Sequence, residues 1–344
     1  MLSVEPQASG WDNPAVLGSV RGSGLEAQHA HLLALYRTMV TARAIDRRMW
    51  ALQRQRLVTD APSSLGHEAI QVAAGAFLRP GVDWALPHAG SLAFCLSLGM
   101  TPLEFLLTVF ARASASSGGR TGPGGFSLKR ARIVTTSALE ARQVVHAAGI
   151  AYASKLQHLG ELVMVCVGQG AADEGDWHEG LNFAAVHRLP LVCVVEDSMS
   201  AWHHGPQMGV ETLAKRALGY GIAGETVDGG DLFACHAVLE RAVDRAHAGE
   251  GPTLIHARVV QLTSMEPGHD RRIYHAQQEL EGIVRRDPIE RVRKRLLDGA
   301  ILDEVGITQV DRECAADVST AVAHAQAAAE PEPYAAKHNV LEGV

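Results

Sequence analysis

Metal-ligand and disulfide spacing are absent from this chain. The five cysteines (Cys95, Cys166, Cys193, Cys235 and Cys314) are scattered, and no CxxC, CxxH or HExxH occurs. A zinc ribbon, a disulfide framework and a zincin helix are therefore excluded as organising features. Cys166 and Cys193 sit inside apolar runs and read as buried thiols, which fits a reducing, cytoplasmic setting. No apolar run approaches the roughly eighteen residues of a membrane helix. Residues 1–25 lack the basic-then-apolar pattern of a signal peptide. Positive charge is not in excess: the net charge is −7, which gives no electrostatic reason for a nucleic-acid or membrane partner. There are no repeats, and the Ala-rich stretch 321–329 is the one biased block. The 17 histidines read as titrating surface groups rather than a zinc site.

What remains is ordinary globular material, 344 residues with 47% hydrophobic and 20% charged, enough for one large α/β domain or two small ones. The centre of the chain is Leu162 to Ser200. An apolar run, Leu162–Val167, ends in Gly168-Gln169-Gly170. An acidic turn and a helix-period run through Trp177, Leu181, Phe183 and Val186 follow. Leu189-Pro190 stops it, and a second apolar run, Leu191–Val195, ends in Glu196-Asp197-Ser198. Strand, helix, strand makes a βαβ unit with parallel strands and a right-handed crossover. Both strands deliver polar ends, Gln169 and Asp197/Ser198, to the carboxyl edge, where open α/β sheets bind ligands. Glycine at 168 and 170 permits close backbone approach to an anion at a helix start. A lone GxG is equally a tight turn that binds nothing.

Around this unit lie other periodic segments. A helix begins near Leu25 and runs to about Arg56, with Leu32, Leu35, Tyr36, Met39, Val40, Ile45, Met49 and Leu52 on one face. An apolar helix follows Gly66-His67-Glu68-Ala69 and stops at Arg79-Pro80-Gly81. Gly118–Gly125 reads as a flexible loop. A helix spans about Ala138 to Leu156, and a short one passes through Leu213 and Ala217. Further helices are expected over 231–247, from Pro288 and over 304–328, with a strand at Leu254-Ile255. The predicted organisation is an arm over 1–25, a single α/β domain over 26–328 and a tail over 329–344.

These segments resemble the alpha subunit of the first, decarboxylating component of 2-oxo acid dehydrogenases, with the branched-chain flavour in the opening helix, LYRTMVTARAIDRRMWALQRQ. Glu174-Gly175-Asp176-Trp177-His178-Glu179 and Leu181-Asn182-Phe183-Ala184-Ala185-Val186 stand where the family has EGDFHEALNFAAV. Leu78-Arg79-Pro80, Asp83-Trp84, Gly219-Tyr220-Gly221, Val227-Asp228-Gly229 and Asp287-Pro288-Ile289 match in order. The resemblance covers about residues 30 to 300. It implies a thiamine-diphosphate-binding α/β fold, a parallel sheet with helices on both faces. It further implies thiamine diphosphate with Mg2+ as cofactors, a beta subunit as partner in an α2β2 assembly, and a lipoyl-bearing acyltransferase as the next component.

The functional positions depart from the family. The family's GDG turn is Gly168-Gln169-Gly170-Ala171 here, so Gln169 replaces the metal Asp. Its ENN is Glu196-Asp197-Ser198, so Ser198 stands at the metal Asn; Ser200 falls at the third metal position, and Asp197 is a possible substitute one residue early. Asp173 is another. Beyond Pro87 the family reads YRDH and this chain His88-Ala89-Gly90-Ser91, with Ala89 and Gly90 at the cofactor contacts. Counting along the segment after the strand places Gln261 at the catalytic Arg, Met265 at the catalytic His and Glu266 at the Ser that is a phosphorylation site in some members. Met265 transfers no proton, and His269 lies four residues further on. These substitutions point to a low-activity or non-catalytic homologue. Two alternatives stand beside it. One is an active branched-chain or pyruvate-type subunit with substitute ligands. The other is a structural or regulatory module whose vacated cleft, lined by Gln169, Ser198, His203 and Glu266, takes another ligand.

Overall fold

The computed structural model describes residues 25–59, 62–136, 139–198, 212–263 and 277–337, the side chains of 277–280 aside. In chain order the elements are α1 (Leu25–Arg54), α2 (Glu68–Ala76), β1 (Trp84–Leu86), α3 (Leu92–Ser97), α4 (Pro102–Val109), α5 (Arg142–Leu156), β2 (Val163–Gly168), α6 (Gly175–Val186), β3 (Leu191–Asp197), α7 (Ala217–Tyr220), β4 (Ala223–Asp228), α8 (Leu232–His247), β5 (Thr253–Arg258), α9 (Gln277–Val284), α10 (Pro288–Asp298) and α11 (Glu304–Ala327). The strands form one sheet in the order β1-β2-β3-β5-β4, and every pairing is parallel.

Strand alternation divides the apolar residues between two layers. Met164, Cys166, Val192, Val194, Ile255 and Ala257 face a core built with α1, α2, α8, α10 and α11. Val163, Val165, Val167, Cys193, Val195 and Leu254 face a second core built with α5 and α6. The sheet thus carries helices on both faces, as the resemblance implies, and Cys166 and Cys193 are buried thiols on opposite sides. Burial pushes both thiols up from their ordinary value, Cys193 to about 12.

Several expectations need adjustment. α1 ends at Arg54, and Arg56 has φ +58, which stops the helix short of the residue expected. α5 starts at Arg142 behind a left-handed Ala141, not near Ala138. The Leu213–Ala217 stretch is a 3₁₀ turn running into α7. Two strands give no clear sequence signal: β1 is three residues long, and β4 is a half-exposed edge strand. Residues of the expected tail are docked on the body: Ala113 N–H donates to the Ala329 carbonyl at 3.0 Å, and the Arg120 guanidinium donates to the Ala335 carbonyl at 2.8 Å. The expected arm falls, but for Leu25, outside the described residues.

The element that fixes the cleft is the turn before α2. Gly66 has φ +106, and a Cβ there would lie 1.9 Å from the Val260 carbonyl oxygen. Only glycine allows the segment after β5 to lie this close. Leu262 N–H then donates to the Leu65 carbonyl at 2.8 Å.

Candidate functional site

The carboxyl edge gathers the chemistry. Glu196, 3% exposed, projects from the end of β3 into the α1–α2 layer. One of its oxygens accepts from His67 Nδ1 at 2.7 Å and from Gln71 Nε2 at 2.9 Å. The other lies 3.2 Å from His88 Nε2. Gln71 also donates to the Gly90 carbonyl and accepts from Ala93 N–H, so it ties α2 to the turn after β1. Gly90 N–H donates to His88 Nδ1 at 3.1 Å. Burial alone would raise the Glu196 carboxyl; His88 and His67 beside it hold it at about 2 instead.

His67 sits between Glu196 and Gln261, whose Oε1 is 3.1 Å from His67 Nε2. Gln261 Nε2 donates to the Ser63 carbonyl at 3.0 Å. A carbonyl only accepts, so this bond orients the amide. Burial lowers the His67 imidazole, but the bond to Glu196 and the nearby carboxylates outweigh it, and its pKa is raised. Beside this cluster, Asp46 accepts from Ser63 Oγ at 3.1 Å and Ser64 N–H at 2.8 Å, both on one oxygen. Burial pushes its carboxyl up to about 6. Ala89, Gly90, Ser64, Asp46, Gly124 and Phe126 line a small cleft.

The residues singled out from the sequence are divided by the structure. Gly168 ends β2, and Gln169, Gly170 and Ala171 form a 3₁₀ turn that leads toward α6. Ser198 lies one residue past β3. Ala89 and Gly90 line the small cleft, which the Gly90 carbonyl joins to the Glu196 cluster through Gln71, and Gln261 belongs to that cluster. Met265, Glu266, His269, Ser200 and His203 lie outside the described residues. Asp197 faces the α5–α6 layer, where its carboxylate lies 2.8 Å from His256 Nε2; both residues are buried. Asp173 is paired with Arg216 at 3.0 Å.

Magnesium requires hard oxygen ligands in near-octahedral array, and holding it on a diphosphate favours a carboxylate. Gln169 Oε1 is buried and has no hydrogen-bond partner, an acceptor in want of a donor or a cation. It is neutral, and so is the Ser198 hydroxyl. Asp197, the adjacent carboxylate, already holds a buried histidine. Among the described residues no three His, Cys, Asp or Glu side chains group as metal ligands. Gln169 and Ser198, the donors among the described residues, do not fit a magnesium diphosphate.

Sequence reasoning missed His67, Gln71, His88 and His256 as a group. It read the histidines as surface, whereas His67, His236 and His256 are 7%, 2% and 1% exposed. His67 and His256 are buried because each meets a carboxylate, and His236 packs on the Phe77 ring with centroids 4.5 Å apart. The one available signal was position: His67 precedes the buried Glu68, and His88 follows the strand end at Leu86-Pro87.

The fold, a parallel sheet between two helical layers with its polar cluster at the carboxyl edge, is that of the thiamine-diphosphate-binding dehydrogenases. The profile of the family described as Dehydrogenase E1 component matches residues 36–334, and the chain belongs to that family. Within it the chain is an alpha-subunit homologue. It is 37% identical to the 2-oxoisovalerate dehydrogenase subunit alpha of Bacillus subtilis over 93% of this chain and 96% of that protein. It is 35% identical to the 3-methyl-2-oxobutanoate dehydrogenase subunit alpha of Mycobacterium tuberculosis over 77% and 70%. It is 31% identical to the pyruvate dehydrogenase E1 component subunit alpha of Acholeplasma laidlawii over 84% and 81%.

Proposed function

We propose that this chain is an alpha-type subunit of a branched-chain 2-oxo acid dehydrogenase first component that keeps the subunit fold and gives up the cofactor. The activity in which it takes part is oxidative decarboxylation of a 2-oxo acid with acyl transfer to a lipoyl arm. Its role there is structural or regulatory. The observation that carries this reading is the uncharged pair Gln169 and Ser198, with Asp197 committed to His256 in the opposite layer. The branched-chain assignment is supported by the names of the relatives at 35% and 37% identity.

The partner in this reading is a beta-type subunit, two of each, in the cytoplasm, with a lipoyl-bearing acyltransferase beyond it. Support comes from α5 and α6, which cover one face of the sheet yet leave Val145, Phe183 and Val186 40%, 40% and 70% exposed. Such side chains on one helical layer are the kind a contact surface would use.

A second reading, an active subunit with substitute ligands, is favoured by one observation, the buried and unpartnered Gln169 Oε1. Calorimetric titration of thiamine diphosphate and Mg2+ into the chain co-purified with a beta-type subunit separates the two. No heat from a folded complex is expected. Saturable binding that chelation abolishes would overturn the proposal in favour of the second reading.

A further inference from the structure

The family's catalytic Arg position holds Gln261 here, which removes a positive charge from the cleft. The structure holds a replacement one contact away. Ser63 contributes only a carbonyl to Gln261, so Gln261 Nε2 must donate and Gln261 Oε1 must face His67. An oxygen acceptor on that side requires a proton on His67 Nε2. On the other side Glu196, which accepts also from Gln71, requires a proton on His67 Nδ1. Both ring nitrogens are donors, and a histidine with two donors is an imidazolium.

We propose that His67, locked as an imidazolium between Glu196 and Gln261, carries the cleft's displaced positive charge and latches the segment after β5 to the start of α2 without any cofactor. The latch has several attachments. Gln261 and Leu262 belong to the segment after β5, with Leu262 N–H on the Leu65 carbonyl. Glu196 closes the end of β3. Thr263 Oγ1 meets Ser63 Oγ at 3.0 Å. Val260 presses on Gly66, where no side chain would fit.

The charges facing His67 are consistent with one cation there. Glu196 comes from β3 and Glu68 from α2 itself. Glu68 is held in turn by Arg43 of α1, which also pairs with Asp287 at the start of α10. Asp46 comes from α1 and His88 from the turn after β1, with His88 Nε2 3.2 Å from the second Glu196 oxygen. Gln261 contributes no charge. The latch deepens the proposed function: it rests on the reading that no cofactor orders this edge.

The test is the protonation of His67 in the full chain with its beta-type partner. Long-range nitrogen–proton spectra of the imidazoles at pH 7.5, with His67 assigned by its loss in His67→Gln, should show both nitrogens protonated. A bare nitrogen overturns the inference. Gln261→Met removes the acceptor and should lower the pH at which His67 deprotonates by at least one unit. Gln261→Glu should raise it by at least as much. An unmoved midpoint in both variants also overturns the inference. Amide exchange at Leu262 should quicken at least tenfold in Gln261→Met, and unchanged exchange would sink the latch. Calorimetry on the same sample keeps the two readings apart. Heat from thiamine diphosphate overturns the proposed function whatever His67 does, and a bare His67 nitrogen overturns the latch whatever the calorimeter reads.

Discussion

At the residue scale, single side chains decide what the carboxyl edge can bind. If Gln169 and Ser198 are what empties the metal position, restoring the family's residues should refill it. Gln169→Asp with Ser198→Asn is expected to gain magnesium-dependent thiamine diphosphate binding detectable by calorimetry, with neither single variant sufficient. Asp46 gives a second residue-scale outcome. Its folded pKa of about 6 lies above the usual carboxylate value, so its contribution favours the fold at low pH and is lost as pH rises from about 4 through 6. A shift near two units corresponds to about 3 kcal/mol of penalty at neutral pH. Both bonds to Asp46 fall on one oxygen, which an asparagine carbonyl can take over. Asp46→Asn is therefore expected to stabilise the chain by about 1–2 kcal/mol at pH 7 and to flatten that stretch of the pH profile in urea unfolding. What the sequence showed at this scale was substitution, not geometry. Gln261 stood out as the residue expected at the family's arginine position, but its bond to His67 joins residues 194 positions apart, which no local pattern encodes.

At the element scale, buried charge ties the helices at their ends. Arg43 on α1 holds Glu68 of α2 at 2.5 Å and Asp287 at the start of α10 at 2.9 Å, with Arg43 and Glu68 both nearly inaccessible. The carboxylates keep the Arg43 guanidinium charged despite burial, which acts against it. Arg43→Met leaves two carboxylates facing each other without a cation, and is expected to cost about 3–5 kcal/mol in urea denaturation. The long helices α1, α8 and α11 were legible because their apolar period is sustained over four turns or more. The βαβ unit was legible because its strands are buried on both faces and read as unbroken apolar runs. β1 was hidden by its length. β4 was hidden because this edge strand reads Ala-Gly-Glu-Thr-Val-Asp, with Val227 its one buried side chain, and has no apolar run to see.

At the scale of the whole molecule, the cluster at the carboxyl edge should set the pH range of stability. Glu196 is depressed to about 2, so its contribution is present above its ordinary value near 4.5 and is lost as pH falls toward 2. His67 is raised, so its contribution is present below its ordinary value of 6.5 and is lost as pH rises through the folded value. The pair therefore supports the fold most fully between about 4.5 and 6.5. His67→Gln should flatten the alkaline limb of a thermal-unfolding profile and leave the Asp46-dependent slope in place. Assembly belongs to this scale as well. Phe183→Asp with Val186→Asp on exposed positions of α6 should leave the circular dichroism of the chain unchanged and abolish co-elution with a beta-type partner. Retained co-elution would place the partner elsewhere.

The borders of the sheet bear on how such a chain behaves when it is made in excess. One border is β1, three residues long, and the other is β4, where Glu225 carries ion pairs from Arg241 and Arg245. Neither offers a long, bare row of backbone groups to a neighbouring chain. Among the described residues, most of the large apolar side chains left uncovered, Val145, Phe183 and Val186 among them, are on helices instead. An orphaned copy should therefore clump through native helical surfaces, giving precipitates that dissolve back to folded protein once a partner is supplied, rather than fibrils that do not.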